Sequence, residues 1–277
     1  MNSKSMRSFL KYVFYGILSA ALIGLNGLLI AQIWVYRNDR PMDEELHVDS
    51  SQAADVLMEE GAESGKPPEV MIAERKPSMM LEVASIRQHP ELYNGCEITA
   101  LTMVVNDYGV AKNKLSLASE LRSDHTPIAM DQHGRIIEWG NPEEGFVGDI
   151  TGKNMGLGVY HGPVLELMKT YIPTAQNLTG EPFEVLEQYV SGGAPVMVWT
   201  TVSFTVPQAD GWVTWDSPTG EVKATFQMHT VVMVGYDDQH VYVNDPQTGE
   251  QAKKIKKAAF MDTWEAMGKQ ALSYIPV

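Results

Sequence analysis

The spacing of apolar and polar positions changes three times along this chain. Residues 12–36, YVFYGILSAALIGLNGLLIAQIWVY, carry no charge and are apolar all round. Such a run is long enough to cross a hydrocarbon core as a helix. From about Arg37 the pattern turns polar and acidic, with Asp, Glu, Ser and Pro and few aromatics, and it lacks the apolar surface to build a core. Beyond it, Met80–Ile86 predicts an extended segment. Ile98, Leu101, Val104, Val105 and Tyr108 fall at helical spacing and predict a helix over Cys96–Tyr108, stopped by Gly109. Shorter helices are expected over 115–121, 163–171 and 182–190, the last two with Pro at or near the first helical position. The period then shortens. β-branched and aromatic runs at 195–202, 211–215, 221–226, 230–236 and 240–244 alternate with Pro, Gly and Asp signals and predict strands, with a hairpin turn at Ser217–Gly220. A last helix is expected over 256–267. Helices first and antiparallel strands later is an α+β plan.

Four regions follow: an N-terminal stretch 1–11, a transmembrane signal anchor 12–36, an acidic flexible linker 37–77 and a folded domain 78–277. Lys4, Arg7 and Lys11 precede the apolar run, and Tyr12, Tyr15, Trp34 and Tyr36 sit near its ends. Basic residues before a span favour a cytoplasmic N-terminus and aromatic rings favour the interfaces. The expected localisation is therefore the cell membrane, single-pass, with the domain extracytoplasmic. A cleaved signal peptide has a shorter apolar region followed by small residues, and this run ends in bulky ones.

The formal net charge of −14 argues against a nucleic-acid partner, which needs a concentrated basic surface. The chain has one cysteine, Cys96, so neither an intramolecular disulfide nor a multi-cysteine zinc site can form. No histidine spacing suggests a metal, and no cofactor is expected.

Cys96 follows the turn signal Asn94-Gly95 and opens the predicted helix, where the positive end of the macrodipole favours a thiolate. A thiol nucleophile needs a base, and the base needs an orienting partner. His229 opens the apolar run HTVVMVGYD, and the next run, HVYVNDP, reaches Asp245. A tight connection over Asp237–Gln239 pairs the two strands antiparallel, which brings His229 and Asp245 to the same end of the sheet. A histidine before a strand and an Asp-Pro at a strand end also have ordinary structural readings. Glu91 and Glu97 flank the cysteine without marking an acid–base pair.

The stretch VASIRQHPELYNGCEITALTMVVNDYG resembles the nucleophile motif of the papain-like cysteine peptidases related to the double-glycine leader peptidases of bacteriocin export. It is most similar to their stand-alone bacterial relatives, with a Q-x-P-E-L-x-N-G-C-E-x-T-x-L core. The later stretch WVTWDSPTGEVKATFQMHTVVMVGYDDQHVYVNDP is similar to the same family's histidine segment. The resemblance implies a papain-like fold, with Cys96 as nucleophile, His229 as base and Asp245 as its orienting acid. It also implies that the Gln88 amide helps form the oxyanion hole, and that the partner is a peptide or protein substrate. Met228 stands where relatives often carry an acidic residue, and an exporter module like that of the leader-processing enzymes is not expected.

The leading expectation is a cysteine hydrolase of peptide or amide bonds that works through a thioester. Two alternatives stand beside it: a catalytically degenerate module that binds peptides or cell-wall components, and an acyltransferase or amidase acting on cell-wall peptides. Trp139, Trp199, Trp212 and Trp215 could shape specificity or fill the core. The turn-rich stretch 124–158 is expected to be a loop over the cleft.

Overall fold

The computed structural model describes residues 73–276. The expected membrane span and nearly all of the acidic linker therefore lie outside the described residues. Among those described, no helix is long and apolar enough to cross a membrane.

The helices are α1 (Cys96–Asp107), α2 (Lys114–Glu120), α3 (His161–Lys169), α4 (Phe183–Ser191) and α5 (Lys257–Ala266). The strands are β1 (Met79–Met80), β2 (Ser123–Asp124), β3 (Ala129–Met130), β4 (Ile136–Glu138), β5 (Phe146–Gly148), β6 (Gly156–Gly158) and β7 (Ala175–Asn177). They continue as β8 (Val196–Thr201), β9 (Val213–Ser217), β10 (Gly220–Ala224), β11 (Met228–Tyr236), β12 (His240–Asn244), β13 (Lys253–Lys256) and β14 (Ala271–Tyr274). The α+β expectation holds, and the principal helices and strands stand within a few residues of where the periodicity put them.

The main sheet runs β13-β12-β11-β8-β14-β7, with β1 pairing on β11. Every residue of β11 and β8 is buried. Strands covered on both faces read as unbroken apolar runs, which is why MHTVVMVGY and VMVWTT lack alternation. Helix α1 packs on β11, and its residues from Cys96 to Val105 are all buried, so it is a central helix rather than an amphipathic one. Its two threonines bond back to the preceding turn: Thr99 Oγ1 to the Gly95 carbonyl at 2.8 Å and Thr102 Oγ1 to the Ile98 carbonyl at 2.7 Å. That satisfies hydroxyls that would otherwise be costly to bury.

A second sheet, β10-β9-β4-β3, has its own small core of Ile136, Trp139, Trp215, Val222 and Ala224, with Val147 and Leu157 from the three-stranded sheet β2-β5-β6. The stretch expected as one long loop over 124–158 thus holds β2 to β6. These strands are two or three residues long, too short for alternation to show in sequence. The N-terminal segment departs in the other direction. Only Met79 and Met80 pair, with Tyr236 and Gly235, and Leu81 N–H reaches the Val234 carbonyl at 2.7 Å. Beyond them the chain leaves the sheet toward the turn that precedes α1.

Candidate active site

The approach to Cys96 is a wound turn rather than a loop. Leu92 N–H bonds the Gln88 carbonyl and Gly95 N–H bonds the Leu92 carbonyl, each at 3.1 Å. Asn94 fastens the turn to the neighbouring β5–β6 connection: its N–H reaches the Ile150 carbonyl at 3.0 Å and its Nδ2 the Asp149 carbonyl at 2.7 Å. Gly95 caps α1 without a side chain, and a Cβ there would lie 2.7 Å from Leu92 Cβ. Thr99 N–H bonds the Gly95 carbonyl at 3.0 Å, so the Cys96 and Glu97 N–H groups have no partner within the helix.

His229 lies one residue inside β11, opposite Thr200 of β8. Its Nε2 is 2.8 Å from Asp245 Oδ1, with both side chains buried. Asp245 follows the end of β12, diagonal to His229 in the β11–β12 register, a distance that side chains bridge. Asp245 also accepts from the Gln247 N–H at 3.0 Å and from Lys253 Nζ at 2.8 Å. Burial alone would raise its pKa, but the His229 bond and the Lys253 charge outweigh that and hold the carboxyl well below the usual range. With Nε2 committed to Asp245, His229 Nδ1 has no hydrogen-bond partner among the described residues. The tautomer is set by that bond: a carboxylate on Nε2 fixes the proton there and leaves Nδ1 basic.

The two halves meet at Thr230. Its backbone lies close enough to the Cys96 sulfur to act as a hydrogen-bonding group that lowers the thiol pKa. Yet the sulfur's side-chain partner is Glu97, not His229: Cys96 Sγ is 3.3 Å from Glu97 Oε2. Glu97 has no solvent exposure, and its other oxygen accepts from the Val159 N–H at 3.0 Å. Burial raises its pKa to about 7, against the bonds from the Val159 N–H and Cys96. Burial likewise pushes the Cys96 thiol well up, and the Glu97 charge adds to this. In this arrangement desolvation and a neighbouring carboxylate outweigh the helix N-terminus, which on sequence grounds should have lowered the thiol pKa.

Gln88 is buried near the same place. Its N–H bonds the carbonyl of Pro246, next to Asp245, at 2.8 Å, and its Nε2 donates to the Tyr93 carbonyl at 2.6 Å. One Nε2 hydrogen thus fixes the amide and the second remains, while Oε1 is buried without a partner. All four residues singled out in the sequence therefore converge on the start of α1 and the adjoining ends of β11 and β12. Glu97 and Lys253 join them without having been marked. Glu97 was visible only as the residue after the cysteine. Lys253 gave no signal, because its role depends on β13 pairing with β12.

Of the tryptophans, Trp199 is wholly buried and bonds the Val159 carbonyl through Nε1 at 3.0 Å, and Trp139 and Trp215 fill the smaller core. Trp212 and Trp215 line a groove of about 720 Å³ with Met155, Ile137 and Phe226. None of Cys96, His229, Asp245 and Gln88 lines this groove. Gly156 abuts Asn94, and Met228 lies against Gly158 beside Glu97.

Comparison with known proteins finds relatives for the chain. The YvpB protein of Bacillus subtilis (strain 168), itself uncharacterised, is 39% identical over 184 residues, spanning 66% of this chain and 70% of its own length. A crystal structure from Bacillus anthracis, assigned provisionally as a C39-like peptidase, is 38% identical with a TM-score of 0.66, covering 73% of this chain and 99% of that one. The model of the Peptidase_C39 like family matches residues 80–272, which span both the turn before Cys96 and the Asp245 end of the sheet. The fold is papain-like, and the chain belongs to the Peptidase_C39 like family.

Proposed function

We propose that this protein is a cysteine peptidase, or a closely related amide hydrolase, in which Cys96 attacks the scissile carbonyl. The observation that carries this reading is the state of His229. Its Nε2 is held by Asp245, its Nδ1 is uncommitted, and the next residue on its strand has its backbone against the Cys96 sulfur. His229 Nδ1 takes the thiol proton as Sγ bonds to the carbonyl carbon. The oxyanion is met by the free Gln88 amide hydrogen and the unpaired Cys96 N–H at the start of α1. The tetrahedral intermediate collapses to a thioester as the imidazolium gives its proton to the leaving amine. Water, activated by the same imidazole, then releases the acid and the thiol. Asp245, charged and backed by Lys253, stabilises the imidazolium at each stage. The apolar run 12–36 and its preceding basic residues support a membrane-tethered enzyme with this domain outside the cell.

Following iodoacetamide alkylation of Cys96 against pH, in the full chain and in His229→Ala, tests the pair. Rapid alkylation below the ordinary thiol range, slowed about tenfold or more in the variant, is the expected result. A thiol of ordinary pKa that the variant leaves unchanged would overturn the assignment. A second reading, a peptide-binding module without turnover, is favoured by one observation: the sulfur is bonded to Glu97 rather than to His229. Cys96→Ala separates the two, because it abolishes hydrolysis but leaves a binding activity intact.

A further inference from the structure

Glu97 is a fully buried carboxyl whose two oxygens face the nucleophilic sulfur and the Val159 N–H. Space for it is built into the fold. Gly158 sits at φ +133°, and a Cβ there would overlap Glu97 Oε1 and lie 2.5 Å from Met228 Cε. The groups around it are few. From β6 and the residue after it come Gly158 and the Val159 N–H, and from β11 come Met228 and, at the sulfur, the Thr230 backbone, with His229 between them along the strand. Asp245 and Lys253 stand behind His229 and are committed to it and to each other. Among the described residues no lysine or arginine pairs with Glu97, and the thiol is its one titratable contact. A buried carboxyl without a cation is held only weakly in its charged form.

We propose that Glu97 is a proton-controlled brake on the nucleophile: as a carboxylate it accepts the thiol S–H and holds the sulfur neutral, and as a carboxylic acid it releases it. Taking a proton from solvent removes the charge that opposes a thiolate. It also turns the carboxyl from an acceptor into a donor toward sulfur. The thiol proton is then free to pass to His229 Nδ1, and the thiolate–imidazolium pair forms. The burial that lifts this carboxyl to about 7 puts the change in the neutral range rather than at the usual carboxylate range. Mildly acidic conditions would release the brake, and alkaline conditions would set it. The inference rests on the hydrolase reading for its meaning, but its readout is the sulfur alone.

The test is the rate of Cys96 alkylation by iodoacetamide between pH 5.5 and about 8.5, in the full chain and in Glu97→Gln. Glutamine keeps an oxygen for the Val159 N–H and offers the sulfur a neutral donor. One unit in the thiol pKa changes the thiolate fraction about tenfold. The expected result is a variant about tenfold faster at pH 8, with the advantage shrinking to less than about twofold at pH 5.5, where Glu97 is itself protonated. A rate ratio that does not change with pH overturns the brake, and so does a variant that is slower throughout, which would make Glu97 a base. Should Glu97→Gln fold poorly, the infrared carboxylic C=O band of the wild type decides. It must titrate near neutrality and move when Cys96 is alkylated; a carboxyl already ionised at pH 5.5 sinks the idea. Failure of the hydrolase reading shows separately, as an alkylation rate indifferent to His229→Ala.

Discussion

Two carboxyl groups of the site are shifted in opposite directions, and each leaves a mark on stability. Asp245 is depressed, so the stability it contributes is present above the ordinary aspartate pKa and is lost as pH falls through its folded value. Removing Lys253 weakens what depresses it. Lys253→Met should therefore be less stable than the wild type at pH 7, with the deficit shrinking as pH falls below the ordinary aspartate range, as followed by urea unfolding. Glu97 runs the other way. Its folded pKa of about 7 exceeds the value of 4.5 for a free side chain, so the folded state holds the extra proton and stability declines as pH rises across that window. The full effect is about 3 kcal/mol for a group with this burial. Urea unfolding midpoints should fall between pH 5 and 8 in the wild type and stay flatter in Glu97→Gln. At this scale Cys96, His229, Asp245 and Gln88 were legible because motif and turn signals bracket them. Glu97 was legible as a neighbour but not as a buried one, since burial depends on what β6 lays against α1.

Among the elements, the β5–β6 hairpin reaches both the turn before α1 and the buried Glu97. Its connection bonds Asn94, and its last residue makes room for Glu97. Gly158→Ala should then cost about 2–4 kcal/mol, from an unfavourable φ combined with overlap against a buried carboxyl. A melting-temperature loss of several degrees, and a faster Cys96 alkylation if Glu97 is displaced, would be measured together. The helices and long strands were readable because each spans more than one period of its own pattern. The short strands β2 to β6 were not, because two or three residues contain no period. The β1 segment was overread for a related cause: Met80–Ile86 has strand-like composition, but β8 and β1 share one edge of β11, and only Met79 and Met80 find free partners there.

For the molecule as a whole, α1 and the main sheet form one body whose halves are far apart in sequence. Residue 96 meets residue 230 across the whole of the second sheet, so the site reports the integrity of everything between. Trp199 is the point where this shows most directly: it lies in the central strand and ties the Val159 carbonyl to the sheet, one atom group from the N–H that holds Glu97. Trp199→Phe removes that bond and leaves a buried carbonyl unsatisfied, at a cost of about 1–3 kcal/mol. The loss should appear in thermal unfolding and as a shift in the pH at which Cys96 becomes reactive.

The strand order also fixes when the protein can become itself. Strand β14, residues 271–274, lies between β8 and β7, although both are made long before it. A chain emerging from the ribosome would therefore carry its cysteine helix early, its histidine late, and the strand that fills the sheet last of all. Contacts of such long sequence separation form slowly. Until residues 229 and 245 have been made the thiol has no assembled partner, and a chain broken before residue 271 would leave a gap between β8 and β7.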